Sequence, residues 1–195
     1  NQQLSGKASY QSGVKINFSK LRFDLLGFTV DSVISTSGPL SFTQKGEHLI
    51  ITQNATAGSI LHWDIYYQGN TTKDGSGWGG MHHDGAYDYN LGVGFAANPH
   101  VYGRSLFPCF DNFVEKCTLE EMNITTPSGK VGASNGILTS VDTLVTGDLV
   151  WHWEGQAPLP SYLVSLAVSN YHKQSWTHAG KSFELYGRAQ DTANM

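Results

Sequence analysis

Apolar and polar residues trade places at a period close to two along much of this chain, which restricts it to folds built from half-buried β-strands. In Phe28-Thr29-Val30-Asp31-Ser32-Val33-Ile34 and Ser59-Ile60-Leu61-His62-Trp63-Asp64-Ile65-Tyr66-Tyr67 the alternation is nearly unbroken. Similar runs occupy Leu119 to Thr125, Leu149 to Trp153, Tyr162 to Val168 and Ser182 to Tyr186. No stretch carries a long apolar stripe at i, i+3, i+4 and i+7, so helix should be nearly absent. Turn residues separate the runs, as in Ser37-Gly38-Pro39, Gln44-Lys45-Gly46, Pro127-Ser128-Gly129, Thr146-Gly147-Asp148 and Ala157-Pro158-Leu159-Pro160. Strands this closely spaced predict a sandwich. One segment, Gly69 to Gly85, is glycine-rich, shows no strand pattern and reads as a long loop.

Composition agrees with an all-β class: 22 Gly for turns, and 9 Phe, 9 Tyr and 5 Trp for strands. The 12 Lys and Arg are scattered and the net charge is -4, which excludes a nucleic-acid face, since phosphate binding needs clustered cations. The longest apolar stretches, such as Tyr162 to Val168, fall far short of the roughly 20 residues of a transmembrane segment. No basic segment followed by an apolar one opens the chain. No compartment is set by these features; a periplasmic or secreted one is slightly favoured. The two cysteines, Cys109 and Cys117, fit no common zinc spacing. They are either free and buried, the favoured reading, or bridged across a short loop.

The most informative segment is Gly103-Arg104-Ser105-Leu106-Phe107-Pro108-Cys109-Phe110-Asp111-Asn112-Phe113-Val114-Glu115-Lys116-Cys117. Pro108 fixes its own φ and biases Phe107 toward extended backbone, so the chain should enter a bend with Phe107 and Phe110 anchored in the core. Asp111 can accept backbone N–H groups of the following turn, and Arg104 can pair with a nearby carboxylate. These are scaffolding roles.

The same block resembles the Arg-x-x-Phe-Pro-Cys-Phe-Asp-Glu-Pro-x-x-Lys-Ala signature of the N-terminal domain in the aminopeptidase N and leukotriene hydrolase family of zinc metallopeptidases, the gluzincins. Asn112 and Phe113 replace its Glu-Pro, and Cys117 replaces its Ala. Downstream, Ile124-Thr125-Thr126-Pro127, Gly132-Ala133-Ser134-Asn135-Gly136 and Tyr162 to Tyr171 resemble later strands and turns of that domain. Upstream, Leu4-Ser5-Gly6-Lys7-Ala8, Leu25 to Val33 and Ile65-Tyr66-Tyr67-Gln68-Gly69 resemble earlier ones.

The resemblance implies that residues 1–195 form an all-β domain of two fused β-sandwiches, a three-sheet saddle whose first strand lies outside this chain. It implies a non-catalytic role: packing against a C-terminal catalytic domain of the parent protein and walling the cleft for its peptide substrate. Zinc would belong to that catalytic domain, with no cofactor and no metal in this chain. In the family a Glu or Gln five residues before the Arg holds the substrate's free amine. Counting back from Arg104 lands on Pro99, which offers neither carboxylate nor N–H; His100 is the nearest polar residue.

No catalytic residue stands out. The His-Glu-x-x-His that such a peptidase needs is absent, since no His-Glu pair occurs anywhere. His82, His83 and Asp84 sit among glycines and read as surface residues. His152 and Glu154 share a strand face between Trp151 and Trp153 and read as strand packing. Ser134 and Ser165 lack a nucleophile elbow. The competing function is a free-standing β-sandwich module binding carbohydrate or protein through Trp63, Trp78, Trp151, Trp153 and Trp176.

Overall fold

The computed structural model describes the backbone of residues 3–194 and the side chains of 3–191. The chain is all-β and folds as two compact units. The first runs to His82 and adds residues 90–117 and 159–164; the second takes 83–89, 118–158 and the residues from 165 onward. Among the described residues, helix is limited to the short 3-10 segments Gly103–Ser105, Ser161–Leu163 and Ala189–Asn194.

In the first unit the strand Gln3–Gly13 pairs antiparallel with Ile60–Asn70 in unbroken register, from Gln3 opposite Asn70 to Gly13 opposite Ile60. Phe28–Ser35 flanks the other side of Ile60–Asn70, with a register shift between Val30 and Ser32. A second sheet places His48–Ala55 between Phe18–Asp24 and Phe42–Lys45. The alternation seen in the sequence supplies the shared core: Phe23 and Leu49 and Ile51 from one sheet, Val30, Val33, Trp63, Ile65 and Tyr67 from the other, together with Leu25 and Phe28. Phe23, Leu25, Leu49, Ile51 and Ile65 are fully buried, each stabilising the sandwich by roughly 1.5–3 kcal/mol.

In the second unit Leu149–Glu154 lies between Glu121–Thr126 and Ile137–Thr143. Val131–Ser134 pairs with Leu166–Ser169, which in turn pairs with the start of Tyr87–Leu91. Trp153 donates its indole N–H to the Gly132 carbonyl at 2.9 Å, closing one sheet over the other. A hairpin of His172–His178 and Lys181–Gly187 completes the unit.

Two expectations from the sequence need correction. Tyr162 to Val168 is not one strand: Ser161–Leu163 is a 3-10 turn, and only Leu166–Ser169 is extended. Pro160 leads into the turn, and the Ser161 hydroxyl shares its one proton between the Phe110 carbonyl at 3.0 Å and the Asp111 carboxylate at 3.3 Å, tertiary contacts that outcompete the local apolar pattern. The glycine-rich segment 69–85 is also not wholly loop, because Gly80–His83 forms a short strand.

Candidate functional site

Arg104 and Asp111 organise the segment that the sequence singles out. Gly103–Ser105 turns tightly, which brings Asp111 back over its own approach. The Asp111 carboxylate is 1% exposed and collects four donors. Gly103 N–H at 3.1 Å and the Ser161 hydroxyl at 3.3 Å reach Oδ1; Arg104 N–H at 3.3 Å and Arg104 Nη1 at 2.7 Å reach Oδ2. Arg104 also donates through Nε to Glu47 at 2.7 Å and through Nη1 to the Val101 carbonyl at 2.8 Å, and its guanidinium lies over the Tyr102 ring. Burial pulls the Arg104 pKa down, but Asp111 and Glu47 outweigh it and leave the guanidinium above its ordinary value. The following turn, expected to be capped by Asp111, is instead capped by Asn112, whose Oδ1 accepts Val114 N–H at 2.8 Å and Glu115 N–H at 2.6 Å.

The rest of the block is stapled to the first unit's sheets. Cys109 exchanges backbone hydrogen bonds with Asp24 at 2.8 and 3.0 Å. Tyr67 donates its hydroxyl to the Leu106 carbonyl at 3.1 Å, and Tyr10 donates to the Pro108 carbonyl. Burial pushes both phenols well above their ordinary pKa, with the Cys109 thiol adding to the effect. The Tyr67 ring crosses directly over Gly6, where a Cβ would sit 2.6 Å from the phenol oxygen, so this position requires glycine. Phe107 packs against the core as expected. Phe110 is anchored on one face only: it stacks on the core residue Phe23 with centroids 4.9 Å apart and remains 43% exposed. Pro108 and Cys109 are buried, whereas Cys117 is exposed, and both cysteines are free.

Pro99 and His100 lie exposed at the end of a loop. The His100 Nδ1 donates to the Ala97 carbonyl at 2.7 Å, so a neutral imidazole presents the Nε2 lone pair outward. Beside them, Phe95 meets the His100 ring at 6.1 Å and the Trp78 ring at 5.6 Å. The loop carrying Phe95 is tied to the loop carrying Trp78 by Asp74, a buried carboxylate accepting Gly79 N–H at 2.9 Å, Ala96 N–H at 2.7 Å and the Ser76 hydroxyl at 2.7 Å. Burial raises its pKa, but these hydrogen bonds outweigh that and hold the carboxyl below its ordinary value. Nothing in the composition marks this aspartate except the Asp74-Gly75-Ser76-Gly77 turn signal.

The remaining histidines serve local structure. His82 and His83 are partly buried: His82 Nε2 reaches the Trp78 carbonyl at 2.7 Å and His83 Nδ1 reaches Asp88 at 2.5 Å. Asp84 caps the next turn through Tyr87 N–H at 2.7 Å. His152 spans its sheet between Glu121 at 3.4 Å and Asp142 at 3.1 Å. Among the described residues no three His, Cys, Asp or Glu side chains are grouped so as to hold a metal ion. Ser134 and Ser165 are tied to the Ser165 carbonyl and to Asn135, respectively. The five tryptophans form no common platform, since Trp63 and Trp153 are buried core residues.

The peptidase M1 N-terminal domain model matches residues 2–163. The chain belongs to that family. An M1 zinc metallopeptidase from Deinococcus radiodurans superposes on this M1 N-terminal domain with a TM-score of 0.78 at 19% identity, covering 90% of this chain and 40% of that one. A two-domain M1 zinc metallopeptidase variant bound to L-arginine gives 0.80 at 19% identity over 94% of this chain and 42% of that one. In sequence, the domain is 36% identical over 77 residues to leucine aminopeptidase 2-1 of Scheffersomyces stipitis and 32% identical over 103 residues to aminopeptidase Q of Acinonyx jubatus. These stretches cover 37% and 48% of this chain and only 10% of the length of either relative.

Proposed function

We propose that this M1 N-terminal domain is the non-catalytic part of a zinc-dependent aminopeptidase, packed against a catalytic domain that follows it and walling the cleft in which a peptide is held. The observation that carries this reading is the family match over residues 2–163, on a fold that fills about 40% of a zinc metallopeptidase chain. One of the similar structures is a variant holding a Tyr-Ser-Ala substrate, which supports a peptide as the ligand class. The zinc would be held by the catalytic domain.

The 103–111 segment acts as scaffold in this reading, with Arg104, Phe107, Pro108, Cys109, Phe110 and Asp111 fixing the loop that carries Pro99 and His100 toward the substrate's amine. Pro99 cannot accept a hydrogen bond through a side chain, whereas a neutral His100 offers Nε2 as an acceptor for an ammonium group. Amine anchoring from this domain would then be weaker than a carboxylate supplies.

The test compares this chain with the full-length protein for zinc content and for hydrolysis of peptides with free and acetylated amino termini. The chain alone is expected to be inactive, the full-length protein active with one zinc, and Pro99→Glu to raise kcat/KM for free-amine peptides relative to acetylated ones. Tight stoichiometric zinc on this chain alone, or an unchanged ratio in Pro99→Glu, would overturn the reading of the domain or of the anchor, respectively.

A further inference from the structure

We propose that the strand Ile137–Thr143 is a pairing edge between two copies of this protein, joined antiparallel about Val141 so that two three-stranded sheets become one of six strands. Nothing in this contact depends on the peptide cleft proposed above.

The edge is open and unguarded. Leu149–Glu154 covers one side of Ile137–Thr143, and among the described residues no strand covers the other. Leu144 N–H donates to the Asp148 carbonyl at 2.8 Å, and inward and outward groups alternate along an antiparallel ladder, so Val141 and Thr143 aim their N–H and C=O outward. Native edges are guarded by Lys, Pro or other charges. Lys7 sits on the Gln3–Gly13 edge, Lys20 and Arg22 on Phe18–Asp24, and Lys45 on Phe42–Lys45. Residues 137–147 contain no Lys, Arg or Pro. The one acid among them, Asp142, is held by His152 at 3.1 Å.

The same edge presents apolar side chains to water. Ile137 is 55% exposed, Val141 41% and Leu144 42%, and Val145 stands fully in solvent. Leu144 and Val145 are held in place by a closed turn, with Gly147 N–H donating to the Leu144 carbonyl at 2.9 Å. A run of exposed apolar residues beside unpaired backbone groups gains twice on pairing, by covering its side chains and by completing its ladder.

A second copy is the occupant because the strand is complementary to itself when run antiparallel about Val141. In that register Val141 lies opposite Val141 of the other copy, Ser140 opposite Asp142 and Thr139 opposite Thr143, and the two-fold axis makes the unlike pairs twice. Leu144 then falls beside Leu138 and Val145 beside Ile137, so apolar meets apolar at both ends, and no like charges stand directly opposite. Because Val141 points its backbone outward, the central pair exchanges both hydrogen bonds of the ladder. The bulge between Leu138 and Ser140 ends the regular ladder at Thr139 and keeps the contact short. An interface of this size gives a weak dimer, with a Kd of roughly 10–100 µM. The two-fold axis uses up both edges, so assembly stops at two copies.

The test is sedimentation velocity on residues 1–195 and on the full-length protein, from about 5 to 500 µM. Both wild-type proteins should pass from monomer to dimer across that range. Thr143→Lys, at an exposed position, should weaken the dimer about three- to tenfold, and Val141→Lys, which sets two like charges face to face, by about tenfold or more. Adding Thr139→Glu to Thr143→Lys should return the Kd to within about threefold of wild type, because the register places those positions opposite each other. Ile16→Lys, at an exposed position of the first unit, is the control and should change nothing. Circular dichroism and melting temperature identify a variant that fails to fold; if Val141→Lys does, Thr143→Lys and its rescue decide. A monomer at every concentration, which would leave the edge to a strand of another protein, overturns the proposal. So do growth beyond dimers, a dimer indifferent to Thr143→Lys, a loss that Thr139→Glu does not rescue, and a dimer of residues 1–195 that the full-length protein does not form.

Discussion

Asp111→Asn changes one oxygen to an NH2 group and should unfold the first unit more easily than any comparable surface change. Four donors converge on the native carboxylate: Gly103 N–H and the Ser161 hydroxyl on one oxygen, Arg104 N–H and Nη1 on the other. An amide has a single oxygen, so whichever way it turns, two donors face an NH2. With the Asp111 side chain 1% exposed, water has no room to repair the mismatch. Breaking a buried ion pair from one side costs about 3–5 kcal/mol. Arg104 retains Glu47 and the Val101 carbonyl, which places the cost at the lower end, about 3 kcal/mol. That is a large share of a total stability on the order of 5–15 kcal/mol, and corresponds to about 6–12 °C in melting temperature for a chain of this size. Urea denaturation followed by both far-ultraviolet circular dichroism and tryptophan fluorescence measures it, with separate midpoints taken if the two units unfold apart. Glu47→Gln is the control: its side chain is 44% exposed, so the loss should stay within about 1 kcal/mol. If Asp111→Asn costs no more than Glu47→Gln, the buried pair does not hold this segment.

Two further outcomes follow from the titrating groups. Asp74 is more acidic in the folded chain than its ordinary value of 3.8, so it adds stability above that pH that is lost as pH falls through the lower folded value; Asp74→Asn should therefore flatten part of the acid decline in urea midpoints measured from pH 6 to 3, and a parallel decline in both proteins would contradict this. Cys109 is buried, and burial followed by the Asp111 charge pushes its thiol well up, so a disulfide reagent at pH 8 should modify only Cys117 in the folded chain and reach Cys109 after denaturation; two thiols reacting together in native buffer would rule out the buried placement.

Much of the β architecture was legible in the sequence because strand identity depends on a local rhythm. Ser59 to Tyr67 alternates so that Trp63, Ile65 and Tyr67 end up inside, whereas in Phe28 to Ile34 both Val30 and Val33 are buried only because the register shifts between Val30 and Ser32, which the sequence did not show. Glycine-marked turns at Gly46, Gly129 and Gly147 were equally local, each taking a positive φ. The Phe-Pro-Cys-Phe-Asp block carried the family and the scaffolding role of Arg104 and Asp111. Its partners were not legible: Glu47 lies 57 residues from Arg104, Ser161 lies 50 from Asp111, and no spacing rule links them. A long-range contact of the same kind accompanies the break in the expected strand at Tyr162, where Ser161 is tied to the Phe110 carbonyl 51 residues away. The sequence offered Trp78 as part of a tryptophan platform and His100 beside the amine-anchor position, but nothing in it joined either to Phe95. Their adjacency depends on Asp74 drawing two loops together across 22 residues, and a side chain that satisfies backbone donors at that separation is decided by the folded chain alone.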